Sequence, residues 1–201
     1  MSINENIVTI FGGSKCSEGD PEYAQALRVG EMLAEAGFTI CTGGYAGVME
    51  AASRGAHERG GRVIGMTMNQ FKSEPNRYLT EKVPSQHFYE RLQRLITRSV
   101  GYIALRGGMG TVTEISLVWN KLQTHVLEPR PLVLLGNCWP PVVREWQRQL
   151  AVSEADVEIS QVRDLAGRSR RYYSEGIATC DRRERCISAS MILLLVVEVG
   201  V

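Results

Sequence analysis

The stretch Arg106-Gly107-Gly108-Met109-Gly110-Thr111-Val112-Thr113-Glu114 narrows what this chain can fold into more than any other. The apolar run Tyr102-Ile103-Ala104-Leu105 leads into it, with the length and composition of a buried strand. Ile115, Val118, Trp119 and Leu122 follow at the spacing of one helix face. Strand, glycine turn and helix in that order aim unsatisfied backbone N–H groups, and the positive end of a helix dipole, at one spot. Glycine lets an anion approach the backbone closely there. Thr111 is placed to start the helix, with Glu114 three residues later. The spacing has two readings. One is a capping box that only stabilises the helix start. The other is a carboxylate carried beside an anion site.

The same unit recurs along the chain. Residues 7–11 read as a first buried strand that ends in Gly12-Gly13-Ser14. Asp20 and Pro21 suit the N-cap and first position of a helix. Ala24, Leu27, Met32, Leu33 and Ala36 give that helix its apolar face, and Gly37 ends it. A second strand over 38–41 runs into Thr42-Gly43-Gly44-Tyr45-Ala46-Gly47 and then a helix over 48–59, stopped by Gly60-Gly61. A third strand covers 62–66. Residues 67–84, with Pro75, Asn76 and Pro84, read as one long loop of the kind that often carries function. A helix over 86–99 has Phe88, Leu92, Leu95 and Ile96 as its apolar stripe, with His87, Arg91, Arg94 and Arg98 on another face. A solvated basic face accounts for these four. So does a face from which one arginine looks into an anion site. The strand at 102–105 then counts as the fourth, residues 131–135 as the fifth, and Trp139-Pro140-Pro141 opens a helix over 142–150.

Alternating strands and helices predict an α/β protein, a doubly wound parallel sheet in a single domain from about residue 5 to 155. The three glycine turns should then share the edge at the carboxyl ends of the strands, where such sheets bind ligands. The stretch beyond 160 reads differently. Arg163, Arg168, Arg170, Arg171, Arg182, Arg183 and Arg185 crowd into it with weak periodicity, and 191–201 is almost wholly apolar apart from Glu198. The chain therefore divides into a domain over 1–160 and an atypical tail over 161–201 that contributes little to the site.

With 23 basic and 22 acidic side chains and a net charge of +1, the chain has no bulk electrostatic attraction for nucleic-acid polymers or membranes. Its five cysteines are odd in number and widely spaced, with neither zinc spacing nor a disulfide framework. That pattern fits a reducing cytoplasm and no metal site. The first six residues have neither the basic start nor the apolar core of a signal peptide.

Four of these motifs, in order, resemble the Lonely Guy family, Rossmann-like proteins once taken for lysine decarboxylases. They are Phe11-Gly12-Gly13-Ser14, the run Thr42-Gly43-Gly44-Tyr45-Ala46-Gly47-Val48-Met49-Glu50-Ala51-Ala52, Glu90-Arg91, and Gly107-Gly108-Met109-Gly110-Thr111-Val112-Thr113-Glu114. The resemblance covers about residues 7–150. It implies a cytokinin riboside 5′-monophosphate phosphoribohydrolase-like activity, which frees a base and ribose 5-phosphate from a nucleoside monophosphate. Arg91 and Glu114 would be the catalytic pair. Gly107, Gly108, Met109, Gly110 and Thr111 would hold the phosphate, with Gly13, Ser14, Gly43, Gly44 and Gly47 lining the nucleotide pocket; Arg106, charged and next to that loop, would either enlarge the anion site or disturb the turn. A homodimer or larger is implied, with the stripe from Ile115 to Leu122 as candidate interface or, equally, core.

The sequence departs from the family pattern at Arg106 for a proline, Leu92 for a lysine and Tyr45 for a glycine. A second branch, the molybdenum cofactor carrier proteins, is similar in its glycine motifs. It would bind a phosphorylated pterin and hydrolyse nothing. No cofactor is required by the first reading; the second implies bound molybdenum cofactor.

Overall fold

The computed structural model describes residues 6–163 and Ile192. Seven strands form one sheet: β1 (Ile7–Phe11), β2 (Thr39–Thr42), β3 (Val63–Met68), β4 (Glu81–Ser85), β5 (Gly101–Ala104), β6 (Leu132–Leu135) and β7 (Ser160–Arg163). Their order is β4-β3-β2-β1-β5-β6-β7, and every pairing is parallel. Among the described residues the strands are connected by α1 (Pro21–Glu35), α2 (Val48–Glu58), α3 (Phe88–Thr97), α4 (Met109–Gln123), α5 (Trp139–Gln149) and α6 (Glu154–Ile159). The chain leaves β1 toward β4 on one side, then returns to lay β5 against the other side of β1. The strand order therefore reverses between β1 and β5, and the crevice of a doubly wound sheet opens at that switch point.

Side chains alternate between two buried faces. Val8, Ile10, Ile40, Val63, Ile103, Val133 and Leu135 pack with α1 and α2. Ile7, Phe11, Cys41, Ile64, Met66, Tyr102, Leu132 and Leu134 pack with α3, α4, α5 and α6. Burial of both faces explains the near-continuous apolar strands. Thr9, fully buried among them, donates to the Leu95 carbonyl at 2.9 Å and shares a hydrogen bond with Ser99. Ile192 reaches the core too, beside Gly101.

Helices α1 and α2 meet backbone to backbone through glycines that the sequence reading passed over. A Cβ on Gly30 would sit 2.1 Å from the Ala52 carbonyl oxygen, and one on Gly55 would sit 2.0 Å from that of Leu27. Gly30→Ala should therefore destabilise the fold by about 1–3 kcal/mol, overpacking outweighing the roughly 1 kcal/mol gain in helix propensity. Thermal denaturation checks this: an unchanged or raised Tm would show that the helices separate without cost.

Three local expectations are corrected. The long loop over 67–84 contains the end of β3 and all of β4 but its last residue, Ser85. β4 is an edge strand with alternating exposure and Pro84 inside it, which an edge tolerates and which hides it from a search for apolar runs. The tyrosine strand is consequently the fifth. The sheet also continues past residues 155 and 160, through α6, whose Ser153–Asp156 capping box the sequence reading missed, and β7. Asp20 takes the N-cap position of α1, but its carboxylate accepts from the Ser17 N–H and hydroxyl rather than from the helix. The arginine-rich and apolar stretch after 163 lies outside the described residues except for Ile192.

Candidate active site

The turns after β1 and β5 are tied together across the switch point by the Gly13 N–H, which donates to the Arg106 carbonyl at 3.0 Å. Gly13 in turn accepts from the Val48 N–H at 2.9 Å, joining the start of α2 to the same spot. Gly47 has φ of 72°, and a Cβ there would lie 2.4 Å from the Gly13 oxygen, so only glycine allows this approach. The starts of α1, α2, α3 and α4 border one cleft of about 800 Å³. Gly12, Gly13, Ser14, Arg106, Gly107, Gly108, Gly110, Thr111, Arg91 and Glu114 all line it.

α4 begins at Met109 with Gly108 as N-cap, two residues before the expected start. Thr111 is therefore the third helical residue. No side chain caps α4, and the capping-box reading of Thr111 and Glu114 falls. The Val112 N–H makes the first intrahelical bond, to Gly108. The N–H groups of Met109, Gly110 and Thr111 precede it, as the opening turn of a helix requires. Thr111 is buried and folds back on the loop, its Oγ1 standing where a Cβ on Gly107 would be, 2.1 Å away. Glu114 follows one turn later, so it stands on the same side of α4.

Arg91 supplies the other half. The solvated-face reading holds for its neighbours only. Arg94 pairs with Glu90 at 2.8 Å and donates to the Pro84 carbonyl, and Arg98 is exposed at the end of α3. Arg91 is 6 % exposed. Its Nε donates to the Met66 carbonyl at 2.6 Å and an Nη to that of Gly43 at 3.3 Å. The other Nη lies 3.7 Å from the Glu114 carboxylate. The guanidinium thus bridges the ends of β2 and β3 to α4 and keeps one edge for Glu114. A signal for this was legible: Arg91 stands three residues after Phe88 and four before Leu95, at the margin of the apolar stripe.

Burial pushes the Glu114 carboxyl up to about 7, although Arg91 opposes the rise. A group of that kind holds and releases protons near neutrality, as an acid–base catalyst must. Arg106, the charged departure from the family pattern, leaves the turn undisturbed and pairs with Glu22 at 2.5 Å. A hydrogen bond from its own backbone N–H, and then Arg106, hold the Glu22 carboxyl below its usual range.

The other expected residues divide. Gly43, Gly44 and Gly47 stand behind the cleft wall, where they seat Arg91, pack on Gly65 and Thr67, and hold the first turn, respectively. Met109 is 77 % exposed. Leu92 is core. The stripe Ile115, Val118, Trp119 and Leu122 is core as well, which removes it as an interface. The cleft also takes residues that the sequence reading did not assign to it: Tyr45, Val48, Met49, Phe71 and Phe88. Cys16, Cys41 and Cys138 are free thiols. Among the described residues there is no cluster of metal-ligating side chains, and no helix long and apolar enough to cross a membrane.

Residues 5–154 match the SLOG cluster4 family. The pyrimidine/purine nucleotide 5′-monophosphate nucleosidase of Escherichia coli (strain K12) is 31% identical over 142 residues, covering 65% of this chain but only 31% of that enzyme. The cytokinin riboside 5′-monophosphate phosphoribohydrolase of Rhodococcoides fascians is 29% identical over 136 residues, covering 65% of this chain and 67% of that protein. In three dimensions the chain is similar to the molybdenum cofactor binding protein of Rippkaea orientalis, with a TM-score of 0.66 and 19% identity over 96% of this chain and 99% of that one. That last likeness is one of fold alone. The phosphoribohydrolase names agree with the resemblance carried by the four motifs.

Proposed function

The chain belongs to the SLOG cluster4 family, and from that premise we propose that it hydrolyses the N-glycosidic bond of a nucleoside 5′-monophosphate, giving free base and ribose 5-phosphate. The observation that carries this is Glu114, its side chain only 13 % exposed and 3.7 Å from Arg91 in a cleft edged by two glycine turns, with its carboxyl up at about 7. The opening turn of α4 and the 107–111 loop take the 5′-phosphate, where backbone N–H groups and the helix dipole favour an anion. As the C1′–N bond breaks, its electron pair leaves with the base and positive charge develops on the ribose. The Glu114 carboxylate, one turn along α4, stabilises that charge and takes a proton from the attacking water. The hydroxide adds to C1′, the departing base takes a proton from solvent water, and Glu114 returns the one it accepted to solvent, so that one water is consumed and the carboxylate is restored. Arg91 orients the carboxylate. The reaction as proposed uses the chain's own groups and water, with no cofactor.

The resemblance further implies a homodimer or larger assembly, whose interface would lie on a surface other than the Ile115–Leu122 stripe.

Incubation with a panel of purine and pyrimidine nucleoside 5′-monophosphates, followed by chromatography of the products, tests the reading. Base and ribose 5-phosphate should appear in equal amounts from at least one monophosphate. The matching nucleoside, which lacks the anion, should react far more slowly. A phosphorylated pterin found by mass spectrometry on the purified protein, with no base released from any monophosphate, would overturn hydrolysis in favour of carriage.

A further inference from the structure

Two large aromatic side chains of the cleft are left in contact with solvent. Phe71, from the loop over 69–80, is 46 % exposed, and Phe88, at the start of α3, is 41 % exposed. Both line the cleft. Leaving such area unburied forgoes hydrophobic stabilisation, and two rings on one cleft are a candidate ligand surface.

Their placement gives the cleft a direction. The Phe71 ring is held from behind by Tyr45, with ring centroids 5.5 Å apart. Tyr45 is itself fixed, since its hydroxyl accepts from the Met68 N–H at 2.8 Å and donates to the Met68 carbonyl at 3.2 Å. The loop that carries Phe71 is anchored again by Asn76, which donates to the carbonyls of Gly44 and Tyr45. The Arg91 guanidinium lies over the Phe71 ring, 5.9 Å from its centroid. Phe88 precedes Arg91 by three residues and stands one helical turn away on the same side of α3. Both rings therefore flank Arg91, whose free edge faces Glu114, which stands one turn from Thr111 and the glycine loop. Anion loop, carboxylate, arginine and aromatic pair follow one another through these contacts.

We propose that Phe71 and Phe88 form a subsite that stacks on the planar heteroaromatic base of the ligand, with Tyr45 positioning Phe71. The subsite rests on the reading of the ligand as a nucleoside monophosphate. Its place beyond Arg91 sets the base at the opposite end from the phosphate and leaves the glycosidic carbon at Glu114. The tyrosine that replaces the family's glycine then has a task, which is to carry the ring that meets the base.

The test separates binding of the base from binding of the sugar phosphate and from turnover. Affinities for adenosine 5′-monophosphate and for ribose 5-phosphate are measured by titration calorimetry on the Glu114→Gln protein, so that neither probe is consumed. The monophosphate should bind more tightly than ribose 5-phosphate. Phe71→Ala and Phe88→Ala should each reduce that preference by about tenfold, the scale of one base–aromatic stack, and leave ribose 5-phosphate affinity unchanged. Phe71→Trp should retain the preference and Phe71→Leu, apolar without a ring, should lose it. Absence of a preference in the parent protein, or its survival in either alanine variant, would overturn the assignment of the rings. So would a parallel loss of ribose 5-phosphate binding. Failure of the wild type to release base sinks the hydrolytic reading instead and leaves this comparison of affinities standing.

Discussion

Replacing Glu114 with glutamine should lower base release by about 10²–10⁴-fold, the usual contribution of a positioned acid–base group, with monophosphate affinity nearly unchanged. The amide keeps the shape of the side chain beside Arg91 but neither accepts the proton of water nor offsets charge on the ribose. Wild-type turnover should fall as the pH drops below about 7, where the carboxyl takes up its proton, and the residual rate of the variant should lack that limb. The same substitution should alter stability in a direction fixed by linkage. Burial raises the folded-state affinity of Glu114 for protons from an ordinary value of 4.5 to about 7. Between those values the native state binds more protons than the unfolded one, so this group's contribution to stability falls as the pH rises through the window. Glutamine resembles the protonated form. The variant should therefore match wild type near pH 4 and exceed it above pH 7, by on the order of 3 kcal/mol at about 1.4 kcal/mol per pKa unit. Chemical denaturation at both pH values checks it. Full turnover by Glu114→Gln would remove Glu114 from the mechanism.

Replacing Arg91 with alanine should damage both fold and activity. The side chain is buried, and its removal strips the Met66 and Gly43 carbonyls of their donor and leaves Glu114 without its counter-charge. Losing one partner of a buried pair costs about 3–5 kcal/mol, because the other charge stays behind, and at this size each kcal/mol lowers Tm by about 2–4 °C. Glu114 should then hold its proton still more strongly, moving the acid limb of any residual activity to higher pH. Arg91→Lys keeps the charge but cannot direct three donors along a planar fork, so it should recover stability better than activity. A Tm and rate in Arg91→Ala close to wild type would show that the contacts of the guanidinium carry little energy and that the carboxylate needs no orienting partner.

Much of this site is readable in one dimension because its parts are local. A strand that ends in glycines and a helix that begins directly after them declare themselves by period and punctuation, so β1, α1 with Pro21 and Gly37 at its ends, and the turns at Gly13, Gly44 and Gly108 stand where the sequence analysis expects them. Arg91 and Glu114 are marked as a pair only through the resemblance, since they are separated by all of β5 and two turns.

The amino-acid sequence by itself determined the alternation of strands and helices, the glycine turns and the apolar faces, because each depends on residues within a few positions of one another. Tertiary structure alone decided the rest. The half-exposed β4 and its Pro84 become a strand only when β3 offers an edge. Arg91 differs from Arg94 and Arg98 only because β2 and β3 end where its guanidinium can reach their carbonyls. Thr111 sits within the helix rather than at its cap because α4 starts at Met109. Glu114 becomes a group that titrates near neutrality through desolvation, a property of everything packed around it and of no residue beside it in the chain. Spacing along a chain encodes faces and turns; burial of a charge depends on which faces meet, and that is settled when β5 returns to lie against β1.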